Sequence, residues 1–196
     1  MWTVSGYPAF VPVDLTAGED RVCLRRVTLR DARRWAEHVR ADLGHLGEHL
    51  PWPAATTATT RVAEFIARYT RSEDGRVLLL GAVAADELVG GTVLMSYAPS
   101  LDTIELGCWV TSAFEGRGLV RQMCVYTVRY ARVQLAVHRV EWRCAAENGR
   151  SRALAQRLGF ELEGTLREAG VHQGARQDLQ LFSLVGAEID AAIDGA

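Results

Sequence analysis

Three absences narrow this 196-residue sequence before any motif is read: it has no apolar run of membrane-spanning length, no C-x-x-C pair and no large surplus of charge. A spanning helix needs about 20 consecutive apolar residues, so none is expected. Residues 1–20 lack the basic start and apolar centre of a secretion signal, which points to a cytoplasmic protein. Cys23, Cys108, Cys124 and Cys144 are far apart and each sits in an apolar pattern. That favours reduced core thiols over a disulfide framework or a zinc site. His38, His45 and His49 share no convincing helical face, so no metal site is expected from them either. A net charge of -2 and a pI near 6.2 give no broad basic field for a nucleic-acid backbone. The dense arginines of residues 25–34 and 150–157 read as solvated helix faces. No internal repeat or linker is visible.

What is present fits one core. With 48% hydrophobic and 23% charged residues the chain can bury a substantial interior as a single domain. Residues 1–18, rich in Pro and Gly, read as an irregular arm over the surface, and residues 19–196 as the domain. Residues 21–27 alternate as a strand, and Thr28 can cap a helix with Asp31 in its first turn, ending near Gly44. A Pro-bounded loop over 45–53 carries Leu50-Pro51-Trp52, and a helix over 60–71 presents Val62, Phe65, Ile66 and Tyr69 on one face. Residues 76–84 and 88–96 form a hairpin around Ala85-Asp86-Glu87, and 103–110 continues the meander. Leu119, Met123, Cys124, Thr127, Val128 and Ala131 recur at helical spacing. A strand over 139–144, a helix over 151–158 and strands over 160–167 and 175–184, joined by a turn region at 170–174, complete the chain. The fold class is therefore α+β, with a mainly antiparallel central sheet flanked by helices and a β-α-β-α core.

Within that core, Glu115-Gly116-Arg117-Gly118-Leu119-Val120 joins a strand to the long amphipathic helix. Glycines at a helix start leave amides open to an anion, and the positive end of the helix dipole favours negative charge there. Taken alone, the same glycines also suit an ordinary strand-to-helix turn.

The order of elements, with Arg117-Gly118 at the corner and Asn148, Ser151 and Gly159-Phe160 after the next strand, resembles the GCN5-related N-acetyltransferase (GNAT) superfamily. Leu50-Pro51-Trp52, Glu105-Leu106-Gly107-Cys108-Trp109, Gly116-Arg117-Gly118 and Glu147-Asn148-Gly149-Arg150-Ser151 look like its branch of ribosomal-protein N-terminal acetyltransferases, the RimJ/RimL-like proteins. The resemblance covers most of the chain. It implies that acetyl-CoA lies in a splay between the strands of residues 103–110 and 139–144, as acetyl donor and without a metal. Pantetheine would pair with backbone near Trp109 and Val110, the diphosphate would sit on amides of Gly116, Arg117, Gly118, Leu119 and Val120, and Asn148 and Ser151 would face the pantetheine or thiol. Glu115 and Val120 depart from the usual phosphate motif, which begins with Gln or Arg and ends in Gly or Ala. Glu115 is therefore expected to point away from the diphosphate.

The implied chemistry is attack of a neutral amine on the thioester. Glu105 is the candidate base, directly or through water, or else an exposed strand carboxylate. An amide near Val110 could stabilise the oxyanion. Ala155 stands where many superfamily members carry a tyrosine, so Ser151 is the local hydroxyl for the leaving thiolate, unless it caps its helix or solvent supplies the proton. Trp52 can wall the acceptor cleft or pack over the sheet, and Glu168 and His172 can contact the acceptor or stay solvated. The expected partners are acetyl-CoA and a protein N-terminus, with a small-molecule amine or a noncatalytic CoA-binding role as alternatives. No nucleic acid or membrane is expected, and a homodimer is left open.

Overall fold

Eight strands share one sheet: β-strand runs that alternate apolar and polar residues, such as 103–110 and 139–145, lie beside the continuously apolar run 78–84. The computed structural model describes residues 7–71 and 76–195. Its strands are β1 (Val13–Ala17), β2 (Asp20–Arg26), β3 (Leu78–Ala84), β4 (Glu87–Ala98), β5 (Thr103–Val110), β6 (Arg139–Ala145), β7 (Glu161–His172) and β8 (Ala175–Val185). They lie in the order β1-β2-β3-β4-β5-β6-β8-β7, and β5 with β6 is the parallel pair. The helices are α1 (Ala32–Ala41), α2 (Leu43–Leu46), α3 (Thr59–Thr70), α4 (Leu119–Leu135), α5 (Gly149–Arg157) and α6 (Ala187–Asp194).

Each face of the sheet has its own core. The stripe of α4 buries Leu119, Met123, Cys124, Val128 and Ala131 on one face, where Ile189 of α6 also packs. Thr127 is tolerated in that stripe because its hydroxyl lies 2.7 Å from that of Thr92 and donates to the Met123 carbonyl. On the other face α1 and α3 bury Trp35, Val39, Val62 and Ile66 with Leu79, Leu88 and Trp109. The four cysteines are free thiols.

The structure corrects several boundaries. Residues 13–17 of the expected irregular arm are strand β1, paired with β2 along the sheet edge. The preceding stretch does lie over the surface, with Pro8 O accepting from Tyr130 Oη at 2.6 Å and Phe10 packed on the Tyr130 ring, while residues 1–6 lie outside the described residues. The helix expected to run to Gly44 stops at Ala41, and α2 takes up Leu43–Leu46. The β3–β4 turn is only Ala85-Asp86, both at positive φ as a two-residue hairpin of this type requires. The β7–β8 turn likewise contracts to Gln173-Gly174, at φ 48° and 81°. Helix α6 was not expected from the sequence.

An aromatic cluster anchors the α1/α3 face. Trp35, fully buried, stacks on Trp109 with centroids 5.6 Å apart and meets Trp52 and Phe65 edge-on at 5.8 and 5.7 Å. Gly91 makes room for this arrangement: a Cβ there would lie 2.8 Å from Trp109 Nε1. Trp35→Ala is expected to destabilise the fold by about 3–5 kcal/mol, the usual range for emptying a large aromatic site. Denaturant unfolding measures it, and a loss below about 1 kcal/mol would mean that the cluster does not anchor this face.

Candidate active site

Where β5 and β6 separate, the sheet opens. The parallel pairing spans only Thr103–Glu105 against Arg139–Glu141, after which β5 stays with β4 to Val110 and β6 stays with β8 to Ala145. The resulting splay leaves backbone groups of β5 without a strand partner. Thr111 N donates to Val89 O at 2.9 Å, and the pairing steps back through Val110 opposite Gly90 and Trp109 opposite Gly91. Since bonded pairs alternate along an antiparallel ladder, Trp109 turns its backbone toward β4 while Cys108 and Val110 turn theirs into the splay. The expected pantetheine contact therefore shifts: Trp109 offers its ring to the wall, and Val110 with Cys108 offers backbone. His45 Nε2 already stands 3.3 Å from Val110 O.

The glycine corner closes one end of this opening. Gly116 and Gly118 adopt φ of 70° and 74°, and a Cβ on either would meet nothing within 4 Å, so the corner's face is clear. Gly118 is the N-cap of α4 and no side chain caps the helix, leaving its first amides available. Leu119 and Val120 turn their side chains onto the main core. Arg117 points elsewhere, pairing with Asp20 at 2.6 Å and lying over the Phe114 ring at 4.7 Å. Its amide, not its guanidinium, belongs to the corner. Glu115, expected to point away, lines the cleft and is held by Arg150. The geometry fits a diphosphate at the amides, with one carboxylate nearby that is itself neutralised.

A continuous cleft of about 1200 Å³ joins the corner to the α1/α3 face. Glu105 lies on its floor with its side chain only 15% exposed, which removes the reading of Glu105 as an exposed strand carboxylate. Burial pushes its carboxyl above the usual range; Arg143, 3.9 Å away, and the Ser96 hydroxyl pull it back, and Glu141 pushes it up again. The net upward direction brings a carboxylate toward neutral pH, where a base works best. Tyr69 lines the same side, and burial raises its phenol to about 12, so it remains a neutral donor.

On the α5 side, Asn148 is the helix cap, its Oδ1 accepting from Ser151 N at 3.0 Å. The capping role considered for Ser151 thus belongs to Asn148. The Ser151 hydroxyl instead accepts from Trp142 Nε1 at 3.0 Å. An oxygen that has accepted one bond still carries its own proton, so Ser151 can donate into the cleft. Ala155 is fully buried and does not line the cleft, so Ser151 is the one hydroxyl that α5 presents there.

Trp52 packs on Trp35, Phe65 and Trp109 and also lines the cleft. Glu168 and His172 are not brought to the site. Glu168 sits at φ 51° in an irregular stretch of β7, and His172 alternates away from Val171, so the hairpin presents Gly170, Val171, Gln177 and Leu179 instead. Sequence reasoning missed Phe65, Tyr69, Met95 and Arg143 as lining residues. The apolar face of α3 was visible, but not which part of it would stay open.

Comparison with known proteins agrees with this geometry. The family model described as an acetyltransferase (GNAT) domain matches residues 21–161. YdaF of Bacillus subtilis, a candidate ribosomal N-acetyltransferase, is 28% identical over 179 residues, covering 86% of this chain and 93% of its own. RimJ of Mycobacterium smegmatis, solved with a CoA-disulfide, superposes with a TM-score of 0.81 at 24% identity, covering 94% of this chain and 93% of its own. RimL, a ribosomal L7/L12 α-N-protein acetyltransferase solved with coenzyme A, gives 0.78 at 20% identity, covering 90% and 99%. With the splayed strands, the open glycine corner and a family match over most of its length, the chain belongs to the acetyltransferase (GNAT) domain family.

Proposed function

We propose that the protein is an acetyl-CoA-dependent N-acetyltransferase whose acceptor is the α-amine of a protein or peptide N-terminus, working in the cytoplasm. The observation that carries this reading is the splay, which places free β5 backbone, an uncapped helix start, a largely buried carboxylate and a serine hydroxyl around one cleft. The named ribosomal-protein acetyltransferases among its relatives support the acceptor class.

In this mechanism the diphosphate is seated by the amides of Gly116 to Val120, and backbone of Cys108 and Val110 aligns the thioester. Glu105, directly or through one water, takes the proton from the acceptor ammonium. The neutral nitrogen attacks the carbonyl carbon, the N–H of Val110 faces the developing oxyanion, and the carbon–sulfur bond then breaks. The acetylated nitrogen gives up its surplus proton to solvent, and the thiolate takes one from solvent directly or from Ser151, which solvent then reprotonates. An α-amine, with an unperturbed pKa of roughly 7.7–8.0 against about 10.4 for lysine, gives up its proton to such a base more readily than a lysine would.

Charge within the cleft bears on the acceptor. Among the described residues, two carboxylates, Glu105 and Glu115, line it against five arginines, and of these two Glu105 is the one on the α3 side, with Arg76 and Arg143 nearby. A polyamine or aminoglycoside would bring several cations to a single carboxylate, whereas an α-amine brings one. A small amine bearing an apolar group is the second reading, favoured by the wall of Trp52, Phe65, Met95 and Leu179.

The test is acetyl-CoA turnover on a mixed panel of peptides, ribosomal proteins and small amines, read by intact mass. Peptide N-termini are expected to gain the acetyl group with release of CoA. Preference for a polyamine would overturn the acceptor assignment, and tight CoA binding with no turnover on any amine would indicate a noncatalytic domain.

A further inference from the structure

Glu115 is where this chain departs from the usual phosphate motif, and the structure sets a cation against it. Arg150 Nη1 lies 2.8 and 2.9 Å from the two Glu115 carboxylate oxygens, and its Nη2 lies 3.4 Å from Glu48 Oε2. His45 Nε2 stands 3.5 Å from Glu115 Oε1. Arg150 belongs to α5, which follows β6; Glu115 precedes α4, which follows β5; and Glu48 lies just beyond α2. One guanidinium therefore spans the splay from side to side, at the end where the amides of the glycine corner open.

We propose that Arg150 is a ligand for the phosphates of coenzyme A, held over the corner by Glu115 until the cofactor arrives, and that the diphosphate then replaces the carboxylate as its partner. This rests on the assignment of the glycine corner to the diphosphate. The exchange is favourable for three reasons. The Arg150 and Glu115 side chains are 58% and 36% exposed, and an ion pair in that setting stabilises little, so it opens readily. A diphosphate carries more charge than a carboxylate and accepts a planar guanidinium through two parallel hydrogen bonds. Other nearby arginines point elsewhere or lie further off: Arg117 is turned toward Asp20, Arg121 toward the Gly195 carbonyl, and Arg157 is about two turns further along α5. Without Arg150, the Glu115 carboxylate would stand uncompensated beside the diphosphate and repel it.

The test compares dissociation constants for coenzyme A and for pantetheine, which lacks phosphates, by calorimetry on Arg150→Ala, Glu115→Gln, the double variant and Gly118→Pro. Arg150→Ala should weaken coenzyme A binding by about tenfold to a hundredfold, the range for losing a hydrogen bond to a charged group, and leave pantetheine unchanged. Glu115→Gln should tighten coenzyme A binding, and the double variant should recover only the share of the loss due to Glu115 repulsion, staying weaker than Glu115→Gln by the lost Arg150 contact. Both side chains are solvent-facing, so the variants should fold, which circular dichroism checks. An unchanged coenzyme A affinity in Arg150→Ala, an equal loss for pantetheine, or weaker binding in Glu115→Gln would each overturn the exchange. If Gly118→Pro still abolishes binding in that case, the corner assignment stands; if Gly118→Pro also binds normally, the corner has failed and the exchange with it.

Discussion

Replacing Gly118 with proline is expected to weaken coenzyme A binding by about two orders of magnitude or more, the largest effect anticipated on the cofactor side. Gly118 holds a φ of 74° as the N-cap of α4. Proline is confined near -65° and has no N–H, so the corner must turn its amides away from the anion and lose one of them. Gly118→Ala separates geometry from crowding. An added methyl would meet nothing within 4 Å, so alanine contributes only the strain of a left-handed backbone, about 1–2 kcal/mol. Its coenzyme A affinity should stay within a few-fold of wild type if the native turn persists. Calorimetric titration beside far-ultraviolet circular dichroism measures both variants. Wild-type affinity in a folded Gly118→Pro protein would remove the corner from the cofactor site.

Glu105→Gln should lower kcat/KM for acetyl transfer by about a hundredfold near neutral pH, at the lower end of what a positioned base contributes. The amide keeps the shape and the bond from Ser96 but cannot take a proton. The sign of the pH dependence follows from the direction of the shift. Burial raises the Glu105 carboxyl, so wild-type activity should fall on acidification at a higher pH than an ordinary glutamate would give. The gap between variant and wild type should narrow as pH rises through the α-amine range near 8, because a growing fraction of acceptor is already neutral. Equal rates across the whole range would exclude Glu105 as the base. Coenzyme A affinity should not change, which separates this result from damage to the glycine corner.

Legibility differed by element for physical reasons. β5 was read to the residue and α4 was expected to start near Leu119, where it does, because alternation and helical periodicity persist along them and Gly118 marks the junction. β1 was missed because Val13–Ala17 is a short edge strand whose Pro- and Gly-rich surroundings mask its alternation; its pairing with β2 is what defines it. α6 went unread because eight residues carrying a single buried side chain, Ile189, give no periodic stripe. Among site residues, the backbone-determined ones were the most legible. Gly116 and Gly118 announce themselves through the positive φ that glycine permits, whereas Asn148 entered only through the family resemblance and its cap role was considered for Ser151 instead. Glu168 and His172 were misplaced because an irregular stretch in β7 resets which side chains face the cleft, and nothing in the sequence marks where that occurs.

The sequence by itself therefore determined the strands and helices that carry regular patterns, the position of the glycine corner and the family resemblance, since these depend on local stereochemistry and short-range periodicity. Tertiary structure alone decided the rest. That Glu105 is nearly buried beside Arg143, that Ser151 is taken up by Trp142 rather than by its helix end, and that Glu115 is met by Arg150 from the far side of the splay are contacts between separate elements that only packing brings together. The corner was legible because two glycines write their backbone geometry into the sequence, whereas its electrostatic balance depends on a partner 35 residues away that only folding brings across the cleft.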